Sequence, residues 1–408
     1  MKIIYLHQYF NTPDMSGGGR SFEMARRLVS MGHEVNMVTT SRLQKGDRKQ
    51  GWYSTEETDI HVHWLCLPYS NQMSFSQRIK AFIHFAYAAA LKAASLEGDI
   101  VFATSTPLTI ALPAVYVSRR KRIPMVFEVR DLWPSLPIAV GALKSRTFIL
   151  AALWLERFAY RNAVQVIALS PGMRNGVVKT GYPEERVHVI PNSADMKLFD
   201  LPDDVGISYR KRYDWLQDRP LVIYTGALGR INGVSYLVEL AAKIKEKAPD
   251  IRFLVVGDGQ EQALIHNLAK SRGVLNVNFF LLGSLPKREM PAVFSAATVA
   301  TSLFVDLKAM WDNSANKFFD ALASGTPIAI NYEGWQAEII RETGAGLVLP
   351  VNNVNKAAAL LVSAVRDKHW LDQASAAALK LAQTRFDRNA LARQLEGVLR
   401  SVVDGEKK

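Results

Sequence analysis

Three charged side chains stand close together in residues 312–327, and their types suit recognition of a sugar hydroxyl next to a phosphate. Asp312, Lys317 and Asp320 flank the predicted start of a short helix. A helix N-terminus offers unpaired N–H groups and the positive end of the helix dipole to an anion. The loop and the helix end can therefore present carboxylates, a lysine and free N–H groups to one ligand. The alternative is an ordinary capped helix with solvated charges.

The predicted ends of this helix follow from local chemistry. Asn313 or Ser314 is expected to cap its start, because a short polar side chain accepts hydrogen bonds from the first-turn N–H groups. Gly325 suits the left-handed residue beyond a helix end, and Pro327 cannot continue the helix. An apolar strand is predicted next.

Glycine turns follow several predicted strands. Gly18 and Gly19 precede a helix at 20–30, while Gly226, Gly257 and Gly259 follow strands later in the chain. Without a Cβ atom, such backbone can approach a phosphate closely. The glycine spacing is not the dinucleotide fingerprint, so a nicotinamide is not indicated and we predict no cofactor. The alternative is a set of flexible turns.

A charged pair, Arg130 and Asp131, follows the predicted strand 125–129. Open α/β sheets bind ligands at the carboxyl ends of their strands, so this pair is a candidate for catalysis. Asp131 either orients an acceptor or simply pairs with Arg130.

Strands and helices alternate along the chain, which predicts two doubly wound α/β domains with parallel sheets. A polar loop is expected over 40–57 and a linker over 201–219. We predict a first domain at 1–200, a second at 220–383, and a C-terminal helix at 384–408 that returns to the first. A ligand cleft is expected between the facing strand ends of the two domains. The predicted strands are 3–6, 35–39, 60–65, 99–103, 125–129, 165–169 and 187–190, then 221–225, 251–256, 277–280, 298–302, 328–330 and 346–349.

Composition excludes several classes of protein. The 408 residues contain one cysteine, Cys66, so an intramolecular disulfide and a multi-cysteine metal site are excluded. The start of the chain reads as a strand and not as a signal peptide. The net charge of +12 favours an anionic partner. We expect no nucleic acid, because no zinc-finger or RNA-binding signature accompanies the charge.

Two helices suggest that this partner is an anionic membrane surface. The segments 74–94 and 143–160 combine aromatic and basic residues but are too short in apolar length to span a bilayer. The alternative is that these apolar residues pack on the sheet. We predict that Phe75, Phe82, Phe85, Phe148 and Trp154 enter the interface, while Arg78, Lys80, Lys144 and Arg146 meet headgroups.

At this point the chain resembles the retaining glycosyltransferases of sequence family 4, which have the GT-B fold. The resemblance rests on the Gly17–Gly19 loop, residues 191–195 with Phe199, the turns 226–229 and 257–259, and above all residues 317–327. It is greatest to the bacterial subgroup that builds surface polysaccharides such as O-antigen or capsule. That subgroup moves amino-deoxy sugars such as N-acetylfucosamine.

The resemblance implies roles for particular residues. The family carries two acidic residues with seven between them, which here are Asp312, near the transferred sugar, and Asp320, on the donor ribose hydroxyls. Its diphosphate-binding arginine and lysine correspond to Ala227 and Asn232, so Arg230 and Lys317 become the expected cations. Its catalytic histidine corresponds to Arg130.

The resemblance further implies a nucleotide-sugar donor, UDP-linked, held by the second domain. The acceptor is a lipid-diphosphate-linked glycan held by the first domain at the cytoplasmic face of the membrane. The resemblance also implies transfer with retention, by same-face attack. We predict no metal ion, because the sequence has no convincing Asp-x-Asp motif and its excess positive charge makes a divalent ion dispensable. Two other functions stay open: a nucleotide-sugar 2-epimerase and a non-catalytic sugar-nucleotide-binding subunit.

Overall fold

The computed structural model describes residues 1–15, 17–41, 51–67, 73, 75–193, 195–202 and 204–405, with only the backbone at Phe75. The chain divides into two compact units. The first comprises Met1–Pro13, Gly17–Pro191 and Asn389–Lys408, and the second comprises Asp14–Ser16 and Asn192–Arg388.

The first unit is built on an eight-stranded sheet in the order β3-β4-β2-β1-β5-β6-β7-β8. Every pairing is parallel except that of β3 with β4. Apolar runs form the central strands because both of their faces are covered. The strands are β1 (Lys2–Leu6), β2 (Glu34–Ser41), β3 (Trp52–Glu57), β4 (Ile60–Cys66), β5 (Ile100–Thr104), β6 (Met125–Val129), β7 (Gln165–Ala168) and β8 (Val187–Val189).

The antiparallel edge strand β3 corrects the sequence analysis, which expects a polar loop over 40–57. Its residues alternate between half-buried and exposed, as a strand at the edge of a sheet does. Trp52, for example, packs against the core of the unit, and Tyr53 stacks on Trp64 at 6.2 Å between ring centroids. Residues 42–50 of the expected loop lie outside the described residues.

Helices cover both faces of this sheet. One apolar core contains Phe85, Val115 and Tyr160, and a second, on α1, contains Phe22 and Leu28. None of the helices in the described ranges is long and apolar enough to cross a membrane. The helices that follow one another here are α1 (Arg20–Ser30), α2 (Phe75–Ala94), α3 (Ala111–Lys121), α4 (Ser135–Ala139), α5 (Arg146–Asn162) and α6 (Pro171–Lys179).

The aromatic residues that were predicted to enter a membrane interface divide into three groups. Phe148 and Trp154 are exposed on α5. Phe82 is half-buried, and the side chain of Phe75 lies outside the described residues. The prediction is wrong for Phe85, because this residue is buried in the core against the sheet. Of the basic partners, Arg78 is half-buried and the other three, Lys80, Lys144 and Arg146, are exposed.

The second unit contains a six-stranded, wholly parallel sheet in the order β11-β10-β9-β12-β13-β14. All six strands overlap predicted segments, although β11 begins two residues later than predicted, and the parallel sheets of the two units confirm two Rossmann-like α/β domains. The strands are β9 (Leu221–Thr225), β10 (Arg252–Val256), β11 (Phe279–Leu282), β12 (Val299–Ser302), β13 (Ile328–Ile330) and β14 (Gly346–Val348). The helices are α7 (Met196–Phe199), α8 (Asp204–Arg210), α9 (Ser235–Lys247), α10 (Gln262–Ser271), α11 (Met290–Ser295), α12 (Asn316–Ala323), α13 (Trp335–Thr343), α14 (Val354–Arg366) and α15 (Lys368–Thr384).

Residues 201–219, the expected linker, lie within the second unit. Helix α8 packs on α11 so closely that a Cβ on Gly206 would overlap the backbone of Ser295. Tyr209, on the same helix, is also buried. Close packing of an aromatic residue and a glycine makes this segment part of the folded body.

The last helix, α16 (Arg388–Gly405), contributes from Asn389 onward to the first unit. Leu391, Leu395 and Leu399 join the same core as α1. Asn389 Oδ1 also accepts a hydrogen bond of 2.7 Å from Arg27 Nε.

Candidate active site

Helix α12 carries the most specific of the predicted site residues. It begins at Asn316, with Ala315 as its N-cap and no capping side chain. The prediction of Asn313 or Ser314 as the cap is therefore wrong. Asn313 Oδ1 instead accepts from Ala315 N at 3.2 Å, and Ser314 Oγ accepts from Asn192 N at 3.1 Å.

The other end of α12 agrees with the prediction. Gly325 follows the helix with a φ of +67°, the left-handed conformation expected there.

Lys317, in the first turn of α12, points its ammonium group at the carboxyl end of β9. Its Nζ donates to the Tyr224 hydroxyl at 2.9 Å and to Asn232 Oδ1 at 3.5 Å. It also lies 4.3 Å from the centroid of the Tyr224 ring and 5.4 Å from that of Phe304. These contacts of the Lys317 ammonium with described residues are all with uncharged groups. Burial lowers the pKa of Lys317 to about 7.

Two glycine turns lie beside this lysine. Gly226 follows β9 with a φ of +134°, and a Cβ built on it would lie 3.9 Å from Lys317 Nζ. A Cβ on Gly257, after β10, would overlap the carbonyl of Gly226, and one on Gly259 would overlap that of Leu228. Glycine is therefore required where these two turns meet backbone to backbone.

Arg230 stands in the 3-10 turn Arg230–Asn232, whose last residue contacts Lys317. The turn is held by a hydrogen bond of 3.0 Å from Val305 N to the carbonyl of Ile231. The Arg230 side chain is exposed. Arg230 therefore lies in the same turn as Asn232, which contacts Lys317, but the Arg230 side chain itself faces solvent.

Asp320 lies three residues after Lys317, on α12, and is half-buried. Burial raises the pKa of its carboxyl group, and the positive charges of Lys287 and Arg388 oppose that rise. The carboxyl is therefore desolvated in a region of positive charge. A buried acid of this kind is stabilised by ligand hydroxyl groups that donate to it.

Asp312 lies in the segment before α12, as expected, and is half-buried. The start of α13 braces this segment. Trp335 Nε1 donates to the carbonyl of Asn313 at 2.8 Å, and a Cβ on Gly334 would press on Trp311. The backbone around Asp312 is therefore held from the side of α13.

The remaining predicted residues belong to the first unit. Gly18 and Gly19 lead into α1, whose first residue, Arg20, is buried. The Arg20 guanidinium donates to Glu128 Oε1 at 2.8 and 3.0 Å and to the carbonyls of Ile190 and Pro191. These bonds anchor the end of the glycine loop at the carboxyl edge of the sheet.

Glu128 is a buried, ionised acid in this anchor. Burial alone would raise the pKa of its carboxyl group, but the Arg20 guanidinium outweighs burial and holds that pKa below its usual value. Thr104 Oγ1 donates a further hydrogen bond of 2.6 Å. The sequence analysis did not identify the Arg20–Glu128 pair, although a glutamate inside the apolar run of β6 indicates a buried charge.

Arg130 and Asp131 follow β6 but do not form the ion pair that the sequence left open. Arg130 Nη1 lies 3.3 Å from His7 Nε2, and Arg130 N donates to Ser105 Oγ at 3.0 Å. Burial raises the pKa of Asp131 to about 6, against the charge of Arg130. His7 and Ser105, at the ends of β1 and β5, are further members of this group that the sequence analysis did not identify.

The described residues contain no group of three or more His, Cys, Asp or Glu that could hold a metal ion. The charged groups brought together around β9 are instead basic. Positive charge beside glycine turns and backbone N–H groups is chemically suited to an anion such as a diphosphate.

Comparison with known proteins accounts for most of the chain. A glycosyl transferase 4-like domain matches residues 17–193, and the glycosyl transferases group 1 domain matches residues 207–381. WcaI of Escherichia coli (strain K12), a glycosyl transferase assigned to colanic acid biosynthesis, is 23% identical over 398 residues. That alignment covers 94% of this chain and 96% of WcaI.

Two further relatives agree with this assignment. The alpha-D-kanosaminyltransferase of Streptomyces kanamyceticus is 24% identical over 253 residues, 62% of this chain and just 64% of that enzyme. The Alr3699/HepE structure from Anabaena, in complex with UDP and glucose, superposes with a TM-score of 0.74 at 19% identity. It covers 98% of this chain and 100% of HepE, and at this identity the likeness is one of fold. The chain is therefore a glycosyltransferase with the GT-B fold, composed of a glycosyl transferase 4-like domain followed by a group 1 domain.

Proposed function

We propose that this glycosyltransferase moves an N-acetylated amino-deoxy hexose from a UDP-linked donor to a lipid-diphosphate-linked glycan, with retention of configuration. The second unit binds the donor and the first unit binds the acceptor. The proposal includes a role in surface polysaccharide synthesis, as O-antigen or capsule, and a peripheral position on the cytoplasmic face of the membrane.

The observation that carries the donor assignment is the environment of Lys317. A buried ammonium group surrounded by uncharged partners is stabilised by an anion that enters beside it. Asn232 occupies the position where the family resemblance implies a lysine, and Lys317 Nζ lies 3.5 Å from its side-chain oxygen. We infer that Lys317 supplies, from α12, the positive charge that residue 232 lacks.

The transfer needs a stabilised leaving group. As the bond between the anomeric carbon and the phosphate oxygen breaks, its electron pair passes to UDP, whose growing charge Lys317 and Arg230 offset. The acceptor hydroxyl oxygen forms the new bond to the anomeric carbon on the same face. Its proton passes to the departing phosphate oxygen. These two cations neutralise the diphosphate in the role that a divalent ion takes elsewhere, so we propose that transfer is independent of metal.

The other site residues bind or orient in this scheme. Asp320 accepts hydrogen bonds from the donor ribose, Asp312 lies near the transferred sugar, and the glycine turns admit the diphosphate to backbone N–H groups. In the first unit, Arg130 and Asp131 orient the acceptor.

The nature of the donor and of the product is supported by the relatives. HepE was solved with UDP and glucose. The name of the kanosaminyltransferase identifies a kanosaminyl group as the group that it transfers. WcaI is assigned to colanic acid biosynthesis. Each relative supports one part of the proposal: HepE a UDP donor, the kanosaminyltransferase an amino sugar, and WcaI a polysaccharide product.

A donor screen followed by a transfer assay tests the proposal. Thermal shift with a panel of nucleotide sugars should identify a UDP-sugar, because a ligand at 100 times its Kd adds about 2.7 kcal/mol of stability. UDP release should then require a lipid-diphosphate-linked acceptor and persist in EDTA. Conversion of the donor without any acceptor would identify an epimerase. Binding without turnover on any acceptor would identify a binding subunit.

A pair of lysine variants sharpens this test. Lys317→Met should lose most of its turnover, because the leaving charge is no longer offset. Lys270→Met, at an exposed lysine on α10, is the matched control and should keep the wild-type rate. Normal turnover in Lys317→Met would place the diphosphate site elsewhere.

A further inference from the structure

We propose that the outward faces of α2, α3 and α5 form one docking surface for an anionic lipid bilayer. We call it the α2–α3–α5 face; its apolar members include Ile83, Tyr87, Leu112, Tyr116, Leu150 and Trp154. The inference deepens the proposed function, since it names the surface through which the enzyme would reach a lipid-linked acceptor. It differs from the sequence prediction in using α3 and in excluding Phe85.

On α2, the exposed apolar residues form a stripe. Ile83, Tyr87 and Leu91 are spaced by four residues each, so they lie on one side of the helix. Tyr87 is 69% exposed, while Phe85 and Ala89 of the same helix are buried in the core. The helix thus packs on the sheet with one apolar side and presents a second apolar side to the outside.

Helix α3 lies between the other two helices and extends the surface. It packs against both α2 and α5. Leu112 and Tyr116 are exposed one turn apart, and Arg119 Nη2 donates to Asn162 Oδ1 of α5 at 2.7 Å. The three helices are therefore neighbours in one unit, and their outward sides form a continuous layer.

Helix α5 carries the largest exposed side chains. Leu150 and Trp154, one turn apart, are 66% and 61% exposed, and Phe148 is exposed at the start of the helix. The Trp154 ring stacks on Phe158 at 5.1 Å between centroids, which holds the indole in place. A run of exposed large apolar residues over three adjacent helices marks an interaction surface.

The charge of this surface selects the partner. The three helices together contain nine Lys or Arg residues and a single acidic residue, Glu156. Glu156 is buried and accepts a hydrogen bond of 3.2 Å from the Tyr160 hydroxyl. The exposed charges are therefore all positive; they are Lys80, Arg119, Arg120, Arg146, Arg157 and Arg161.

Apolar residues bordered by cations match a lipid bilayer with anionic headgroups. A second copy of this chain would bring the same cations together across a two-fold axis, which disfavours self-association.

The three helices begin on the side of the sheet where the candidate residues of the first unit lie. Each of the three helices follows a parallel strand and so begins near the carboxyl edge of the sheet. Leu112 and Phe148 lie in the first turns of α3 and α5, on the edge where Arg130 follows β6. A bilayer on the α2–α3–α5 face would therefore lie next to that edge, where a lipid-linked acceptor would present its diphosphate.

Vesicle binding by the full chain tests the surface without donor or acceptor. We expect co-sedimentation with vesicles in which about a third of the lipid is phosphatidylglycerol and little with phosphatidylcholine alone, and binding that falls as salt rises. Equal binding to both kinds of vesicle, or no binding to the anionic ones at low salt, would overturn the proposal.

Matched variants locate the contact. Tyr87→Ser/Leu150→Ser should weaken binding by about tenfold or more, and Arg120→Gln/Arg161→Gln by about fivefold for each charge removed. The controls are Leu264→Ser/Val277→Ser, which alters two residues of the second unit that are 51% and 52% exposed, and Lys270→Gln on α10. Controls that lose binding as much as the surface variants would overturn the assignment.

Two further measurements separate the possible failures. Transfer to a short-chain, water-soluble acceptor should stay at the wild-type rate in Tyr87→Ser/Leu150→Ser, whereas transfer to vesicle-embedded acceptor should fall. Lack of transfer to any acceptor would refute the proposed function and leave the vesicle result intact. Sedimentation velocity is expected to show no dimer held by this face; a wild-type dimer that Tyr87→Ser/Leu150→Ser dissociates would instead make it a self-association surface.

Discussion

Replacing Lys317 by methionine should make the protein more stable while it loses donor binding. Methionine keeps the unbranched shape and removes the charge. The Lys317 ammonium is held among uncharged groups, and burial lowers its pKa from 10.5 to about 7. The Tyr224 hydroxyl still donates to the carbonyl of Ala227 at 2.9 Å, so the substitution leaves it with a partner.

The magnitude follows from the two pKa values. The gap between 10.5 and about 7 corresponds to at most about 5 kcal/mol, at about 1.4 kcal/mol for each pH unit. Lys317 is partly accessible and keeps two hydrogen bonds, so we expect a gain of about 2 kcal/mol in the free energy of unfolding.

The sign of the pH dependence is fixed. Below about pH 7 both states carry the charge, and the folded state bears the whole desolvation penalty. Above about pH 7 Lys317 is neutral in the folded state but still protonated in the unfolded chain. As the pH approaches 10.5 the unfolded chain loses this proton as well, so the penalty disappears.

Urea unfolding of wild type and Lys317→Met at about pH 6 and pH 10 measures the difference. The gain should be present at about pH 6 and nearly absent at about pH 10. Lys270→Met should show no gain at either pH. A Lys317→Met protein that is less stable than wild type at about pH 6, or a difference that does not change with pH, would refute the reasoning. Calorimetry should also show UDP bound more weakly by about 1.5–3 kcal/mol.

Four other changes probe the remaining parts of the two units. Asp320→Asn should weaken UDP-sugar binding by about 1.5–3 kcal/mol if the carboxylate accepts from two hydroxyls; an unchanged Kd in the folded variant contradicts that role. Gly257→Ala should cost about 1–3 kcal/mol in urea unfolding, because its Cβ meets a carbonyl of the neighbouring turn; full stability would mean that the turn relaxes. Arg20→Met should cost about 3–5 kcal/mol by leaving Glu128 buried and unpaired, and adding Glu128→Leu should restore most of it. The kcat/KM of wild type should rise through about pH 6 as Asp131 ionises; the same rise in Asp131→Asn would assign it to another group.

The fold followed from the sequence because parallel strands buried on both faces must be short, nearly continuous apolar runs. All six strands of the second unit coincide with such runs, as do seven of the eight in the first. The exception, β3, is an edge strand of mixed polarity, whose residues are half-buried or exposed. Its faces are only partly covered by the rest of the unit, so its sequence need not be a continuous apolar run.

The candidate site residues could be selected by type from the sequence, whereas their contact partners could not. Gly226 and Gly257 were recognisable because few other residues adopt the positive φ that their turns require. Lys317 meets Tyr224, 93 residues away, and Arg20 meets Glu128, 108 residues away. Strand order and helix phase, which come from packing the whole sheet, brought these pairs together.

The outward faces of the helices were decided by tertiary packing alone. Helix α2 is rich in apolar residues on every side, so periodicity could not tell Phe85 from Tyr87. Packing of the helix on the sheet put Phe85 inside and Tyr87 outside. The same holds for α5, where Glu156 is buried while Trp154, two residues earlier, is exposed. Only contact with the sheet and with the neighbouring helices breaks the symmetry of a helix that is apolar all round.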